Sequence, residues 1–214
     1  MNHKTDITII LDRSGSMAAI ADDTIGGFNT FLEEQQKLSG DATLTLVKFD
    51  DQYEVEYSSK SMKDVPKLSK ETFKPRGATA LLDAIGTTID DIDTRLAGLK
   101  KGQRPDRMVV AIITDGHENA SYKFTKLQIN RRISHKRDVH QWQFFFIGAN
   151  QDAIQEGHNI GIPIGQTLTY KSSAGGTIAA YAALNTLVDN ARTNSVNTAY
   201  NMTGEDRKKA EDSK

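Results

Sequence analysis

The chain has 214 residues, 26% of them charged and 37% hydrophobic, with a formal net charge of -1 and no cysteine. That length suits one large domain with a packed core, and the missing cysteines exclude a disulfide framework and thiol chemistry. A near-zero charge supplies no global field for nucleic acid or membrane, no apolar run approaches the ~20 residues that span a bilayer, and the N-terminus lacks a basic-then-apolar signal pattern, so a cytoplasmic location is the expectation.

Residues 5–11 are β-branched and apolar and predict a buried strand. Ile20, Thr24, Phe28, Phe31, Leu32, Gln35 and Leu38 then recur at helical spacing over residues 17–38. Gly26-Gly27 interrupts that helix and costs roughly 1 kcal/mol per glycine; close packing against the sheet is the simplest reason for it. Residues 42–49, the turn Asp50-Asp51-Gln52 and residues 53–57 read as a hairpin that supplies an antiparallel edge. Residues 58–76 are irregular and basic, with Lys60, Lys63, Lys67, Lys70, Lys74 and Arg76 against Asp64 and Glu71. A solvated loop accounts for that stretch, and a basic flank to a functional face is the alternative.

The clearest helix is predicted over residues 80–99, with Leu81, Ile85, Thr88, Ile89, Ile92, Leu96 and Leu99 in one stripe. Asp83, in its first turn, either accepts a bond from loop backbone or complements the helix dipole. Residues 107–114 form a second apolar strand. His117-Glu118-Asn119 lacks the H-E-x-x-H spacing of zinc enzymes and reads as a polar loop. A helix over residues 124–137 turns Leu127, Ile129 and Ile133 inward and carries a basic outer face of Lys126, Arg131, Arg132, Lys136 and Arg137. His135 and His140 share no ligand spacing and read as structural. Residues 141–148 are a third buried strand, with Trp142 a packing residue. A short helix over 150–159, an edge strand over 160–170 containing Pro163, and a closing helix over 173–192 striped by Ile178, Tyr181, Leu184, Leu187 and Val188 complete the pattern. Gly161 and Gly165 lack the third glycine of a dinucleotide fingerprint. The alternation of strands and helices predicts an α/β fold: a doubly wound, mostly parallel, Rossmann-like sheet of about six strands with one antiparallel edge strand and helices on both faces. Residues 1–193 make the domain, and residues 194–214 read as a polar, disordered tail.

Function is carried by three stretches. Asp12-Arg13-Ser14-Gly15-Ser16 follows the first strand and places a carboxylate and two hydroxyls at alternate positions in a tight turn, the donor type that hard divalent cations take. A strand-to-helix turn capped by Ser14 or Ser16 is the plainer reading of the same residues. Arg76-Gly77-Ala78-Thr79-Ala80 brings a hydroxyl to the start of a helix, and Ile112-Ile113-Thr114-Asp115-Gly116 ends a strand in an aspartate. In open α/β sheets, ligands bind outside the carboxyl ends of the strands, where Asp12 and Asp115 both stand.

With these residues the sequence resembles the von Willebrand factor A domain family and its metal-ion-dependent adhesion site, D-x-S-x-S … T … D, matched at Asp12, Ser14, Ser16, Thr79 and Asp115. The order of elements from about Thr5 to about Asp189 fits as well, and the chain looks like the stand-alone bacterial or phage type. The resemblance implies that Ser14 and Ser16 bind Mg²⁺ through their hydroxyls, that Thr79 binds directly or through water, and that Asp12 and Asp115 balance charge, often through water. Mn²⁺ or Ca²⁺ would suit the same donors. Few direct carboxylates leave such an ion wanting an anionic ligand, which a Glu or Asp of a partner protein supplies. The family binds proteins and does not turn over substrates, so no enzyme activity is expected. The basic stretch before Thr79, with Lys70, Lys74 and Arg76, would steer an acidic partner.

Two rival readings rest on the same elements. A Mg²⁺-dependent phosphoryl-transfer enzyme also puts an aspartate after its first strand, but haloacid-dehalogenase phosphatases need a second aspartate where Ser14 stands, and receiver domains need a lysine after a late strand that residues 144–149 do not offer. Nucleic-acid binding through the basic helix would be strongly salt-dependent, and the neutral overall charge argues against it. Nothing in the sequence sets the oligomeric state.

Overall fold

The computed structural model describes residues 3–149, 152–193 and 200–212. Six strands form one sheet: β1 (Thr5–Asp12), β2 (Ala42–Phe49), β3 (Tyr53–Ser61), β4 (Arg107–Thr114), β5 (Gln143–Ala149) and β6 (Thr167–Tyr170), in the order β3-β2-β1-β4-β5-β6. All neighbours are parallel except β2 and β3, the antiparallel edge. β1 pairs Asp12 with Phe49 on one side and Leu11 with Ile113 on the other. The chain leaves β1 toward β2 and later returns to β4, so strand order reverses beside β1 and opens a crevice at the carboxyl ends of β1 and β4.

The strands are buried on both faces because their side chains alternate between two apolar layers. Ile7, Ile9, Leu11, Val109, Ala111 and Ile113 enter one layer; Ile10, Val110, Ile112, Phe144 and Phe146 enter the other. The first layer is covered by α1 (Ala21–Lys37) and α5 (Ala174–Thr193), and the second by α2 (Leu81–Ala97), α3 (Lys126–His140) and the short α4 (Ala153–Asn159). α3 starts at a capping box in which Thr125 and Gln128 satisfy each other's backbone N–H groups, and it stops at Gln141, whose φ of 57° is left-handed. Among the described residues no helix is long and apolar enough to cross a membrane.

Several expectations are corrected. The first helix does not begin at Met17: Gly15–Ile20 is a 3-10 turn, and α1 proper starts at Ala21. β3 runs on to Ser61, past the expected end at Tyr57. The last strand is confined to Thr167–Tyr170, because Pro163 and left-handed Gly161 break the stretch before it. Leu127 and Ile178, placed inside by periodicity, are 60% and 62% exposed. Residues 204–212, expected to be disordered, form α6 (Gly204–Asp212). It docks because Ala210 is fully buried and its carbonyl accepts from Lys171 N at 3.0 Å, while Tyr200 and Met202 are buried ahead of it. Residues 194–199, 213 and 214 of the expected tail, and 150 and 151 of an expected helix, lie outside the described residues.

Candidate metal centre

The crevice is built from three turns. The first follows β1 and carries Asp12, Ser14 and Ser16. The second leads into α2 and carries Thr79. The third follows β4 and carries Asp115. All five side chains anticipated from the sequence come to one place. Ser14 Oγ and Ser16 Oγ lie 3.1 Å apart, and Ser16 Oγ donates to Asp115 Oδ1 at 2.6 Å. Ser14 N donates to Asp12 Oδ1 at 2.6 Å, so the carboxylate closes its own turn. Neither serine side chain caps a helix.

Gly116 shows what the arrangement leaves open. A Cβ at Gly116 would lie 2.8 Å from Thr79 Oγ1, 3.3 Å from Ser16 Oγ and 3.5 Å from Asp12 Oδ2. Oxygens from the first two turns therefore face one small space beside the third that only a glycine at this position leaves free, and Asp115 joins them through its bond from Ser16. Asp12, Ser14 and Thr79 are buried, Asp115 is half-buried and Ser16 is exposed, so the cluster opens to solvent on one side. Burial pushes the Asp12 carboxyl up to about 6, against lowering bonds from Thr114 and Ser14 and with a further rise from Asp115. Burial likewise raises Asp115, opposed by the bond from Ser16. Two desolvated carboxylates beside three hydroxyls favour a cation, and hard oxygen donors of this kind suit Mg²⁺ or its relatives. The residues present fit the ion.

The turns are held by residues whose role periodicity did not reveal. Thr114 Oγ1 donates to Asp12 Oδ2 at 2.5 Å and accepts from Gly116 N at 3.1 Å. Asn119 Oδ1 accepts from Thr79 N at 2.9 Å, and Asn119 N donates to Thr79 O at 3.0 Å. Glu118 accepts from Leu82 N, Ala120 N, Ser121 N and Ser121 Oγ, all within 2.9 Å. Asp83 takes the backbone N–H groups of Tyr122, Lys123 and Phe124, which decides between its two readings in favour of a loop anchor. On the other side Arg13 Nε and Arg76 Nε both donate to the buried Asp50, at 3.0 and 2.8 Å, while Gly15 N donates to Gly77 O at 3.1 Å and Arg76 N to Arg13 O at 2.8 Å. A hydroxyl closing an apolar strand, as at Thr114, or an acid just beyond one, as at Asp50, was the available signal for this second tier.

Arg76 is thus committed to Asp50 and, through Nη2, to Gln52 Oε1, and Lys70 pairs with Asp22. Of the three cations expected to steer a partner, Lys74 alone makes no salt bridge among the described residues. Most of the basic face of α3 is likewise occupied: Lys126, Arg132, Lys136 and Arg137 pair with Glu156, Asp90, Asp93 and Asp138, while Arg131 makes no salt bridge among the described residues.

The von Willebrand factor type A domain model matches residues 6–182. No curated protein matches the chain. Among solved structures, proximal thread matrix protein 1 from the mussel byssus, with a zinc-occupied MIDAS motif, is similar at 15% identity and a TM-score of 0.58, over 88% of this chain and 47% of that one. The vWF domain of the type V pili tip protein Mfa5 from Porphyromonas gingivalis is similar at 10% identity and a TM-score of 0.65, over 91% of this chain and 98% of that one. The pilus adhesin SpaC from Lactobacillus rhamnosus GG, in its open conformation, is similar at 13% identity and a TM-score of 0.66, over 86% and 30%. At these identities the likeness concerns the fold. The chain spans about half the length of the mussel proteins, 46% in two crystal forms.

Proposed function

Because the chain belongs to the von Willebrand factor type A domain family, we propose that it is a divalent-cation-dependent protein-binding module, with Asp12, Ser14, Ser16, Thr79 and Asp115 holding Mg²⁺ and a Glu or Asp of a partner protein completing the site. The observation that carries this reading is the convergence of Asp12, Ser16 and Thr79 oxygens on the space left by Gly116, with Asp115 bonded to Ser16 at its edge. Mg²⁺ bound there supplies a positive, Lewis-acidic centre that attracts a carboxylate; Mn²⁺ and Ca²⁺ suit the same donors. Ser14, Ser16 and Thr79 contribute neutral oxygens, and Thr114 and Ser14 N hold the Asp12 carboxylate in place. Ser16, exposed at the mouth, marks the side from which a partner approaches. The zinc-occupied motif of the mussel protein supports a divalent ion at such a motif. The lack of cysteine is in keeping with a cytoplasmic location.

The rival readings gain nothing from the geometry. Ser14 holds the position that a phosphatase's second aspartate would take, and its hydroxyl contacts Ser16. Four of the five α3 cations that a nucleic-acid surface would need are instead paired with carboxylates. The test is affinity purification on the immobilised chain in Mg²⁺. A partner that elutes with EDTA, and that the Asp12→Ala chain fails to retain, supports the reading. A partner indifferent to both overturns it.

A further inference from the structure

α1 and α5 pack side by side on one face of the sheet, and between their outer surfaces runs an open groove of about 540 Å³. None of the five candidate ligands lines it. Its floor is apolar, formed by Phe31 and Tyr181, and Ile178 stands on its α5 rim with 62% of its surface exposed. The α1 rim is acidic: Asp22, Asp23 and Glu34 line the groove, and no lysine or arginine does. Asp22 and Glu34 hold exposed lysines, Lys70 and Lys37; Asp23 makes no salt bridge among the described residues.

The glycine pair in α1 separates into two cases here. A Cβ at Gly27 would lie 2.3 Å from the ring of Tyr181, so the chain's own packing requires that glycine. A Cβ at Gly26 would meet nothing within 4 Å, and the backbone there is ordinary helix. Gly26 nonetheless occupies a helix interior where alanine would be more stable. Neither packing nor conformation within this chain requires it. It lines the groove, where a glycine lets another backbone approach closely.

We propose that the α1/α5 groove receives an amphipathic helical segment of a partner protein, with small and aliphatic residues along the buried stripe and lysine or arginine at its flanks. The α1 wall from Asp22 to Glu34 runs for about 18 Å at the helical rise, enough to seat about three turns. The aliphatic stripe covers Ile178 and the ring of Tyr181, a small residue of the stripe lies over Gly26, and the basic flank meets Asp23 and competes with Lys70 and Lys37 for Asp22 and Glu34. Four of the five cations of α3 are paired within its own fold, which disfavours a second copy of this chain as the occupant, and self-association is an outcome of the test. The groove has no lysine or arginine in its lining to draw nucleic acid or an anionic membrane.

The experiment uses the full chain in EDTA, which separates this site from the metal centre. The probe is a fluorescein-labelled, eighteen-residue helical peptide with a leucine and alanine stripe flanked by lysines, followed by anisotropy. The control peptide keeps the stripe and replaces the lysines with glutamates. The basic peptide is expected to bind at least about tenfold more tightly than the control. Gly26→Leu, which fills the groove, should weaken binding about tenfold, and joint Asp23→Lys and Glu34→Lys by a similar factor. Gly26→Ala should raise the melting temperature yet weaken the peptide, a pairing of effects that a purely structural glycine would not produce. The proposal is overturned if the two peptides bind alike, if Gly26→Leu leaves binding unchanged in a chain that still melts cooperatively, if binding requires Mg²⁺, or if sedimentation shows self-association that Gly26→Leu abolishes.

Discussion

Arg13 Nε donates to Asp50 Oδ2 at 3.0 Å, a buried contact that ties the turn after β1 to the turn after β2. Asp50 is fully buried and also takes Arg76 Nε and Gln52 N. Burial acts to raise its carboxyl, but the bonds from Arg76 and Gln52 and the charges of both arginines outweigh it and hold the group below its ordinary value. The candidate metal turn and the Thr79 turn thus share one anchor.

Asp50→Ala should therefore destabilise the fold by about 1.5–3 kcal/mol in urea unfolding, since it removes a charge-assisted bond from the buried guanidinium of Arg13 and leaves it only Glu54. Arg76→Ala, removing a side chain that is 52% exposed, should cost far less, because solvent screens its pairing. Equal losses from the two would contradict the central place given to Asp50.

Glu118 binds four donors in the loop after Asp115 and the first turn of α2. Glu118→Ala should speed amide exchange at Leu82, Ala120 and Ser121 by about tenfold or more while the central strands keep their protection. It should also weaken metal binding by loosening the Asp115 and Thr79 turns together.

Acid should act through Glu54. Its bond to Lys48 lowers its carboxyl most, burial opposes, and Arg13 adds to the lowering, to about 2. A carboxyl lowered on folding stabilises the fold above its unfolded value of 4.5, and that contribution fades as pH falls from there toward 2. Glu54→Gln should remove part of the acid sensitivity of the melting temperature between those limits and none of it at pH 7–8. The side chain is 43% exposed, so salt should shrink the effect.

Period-two and period-3.6 patterns carried the fold because each buried strand and each sheet-facing stripe repeats over several turns. They failed where a residue's surroundings depend on what lies beyond its own element. Leu127 and Ile178 continue apolar stripes but sit at helix positions with no layer outside them. Residues 204–212 are almost wholly charged or small, yet buried Ala210, its carbonyl's bond from Lys171 N and the bond from Arg207 Nη2 to Ile164 O dock them. The five candidate ligands were legible from type and spacing. Arg13, Asp50, Glu118 and Asn119 were not, because polar residues that hold a loop look in sequence like polar residues that only solvate one.

Deleting residues 200–214 should lower stability by about 2–4 kcal/mol, through exposure of the surfaces covered by Tyr200, Met202 and Ala210. Thermal melts of the shortened and full chains compare this directly. An unchanged melting temperature would mean that α6 rests on the domain without supporting it.

The most direct measurement is titration calorimetry of the full chain with Mg²⁺ and Mn²⁺, repeated on Asp12→Ala and Ser14→Ala, with circular dichroism to verify the fold. One site per chain is predicted, lost in both variants. The elements should persist in each, because the two apolar layers form without the ion. Wild-type binding in both folded variants, or no binding by the wild-type chain, would contradict a metal centre at Asp12, Ser14, Ser16, Thr79 and Asp115.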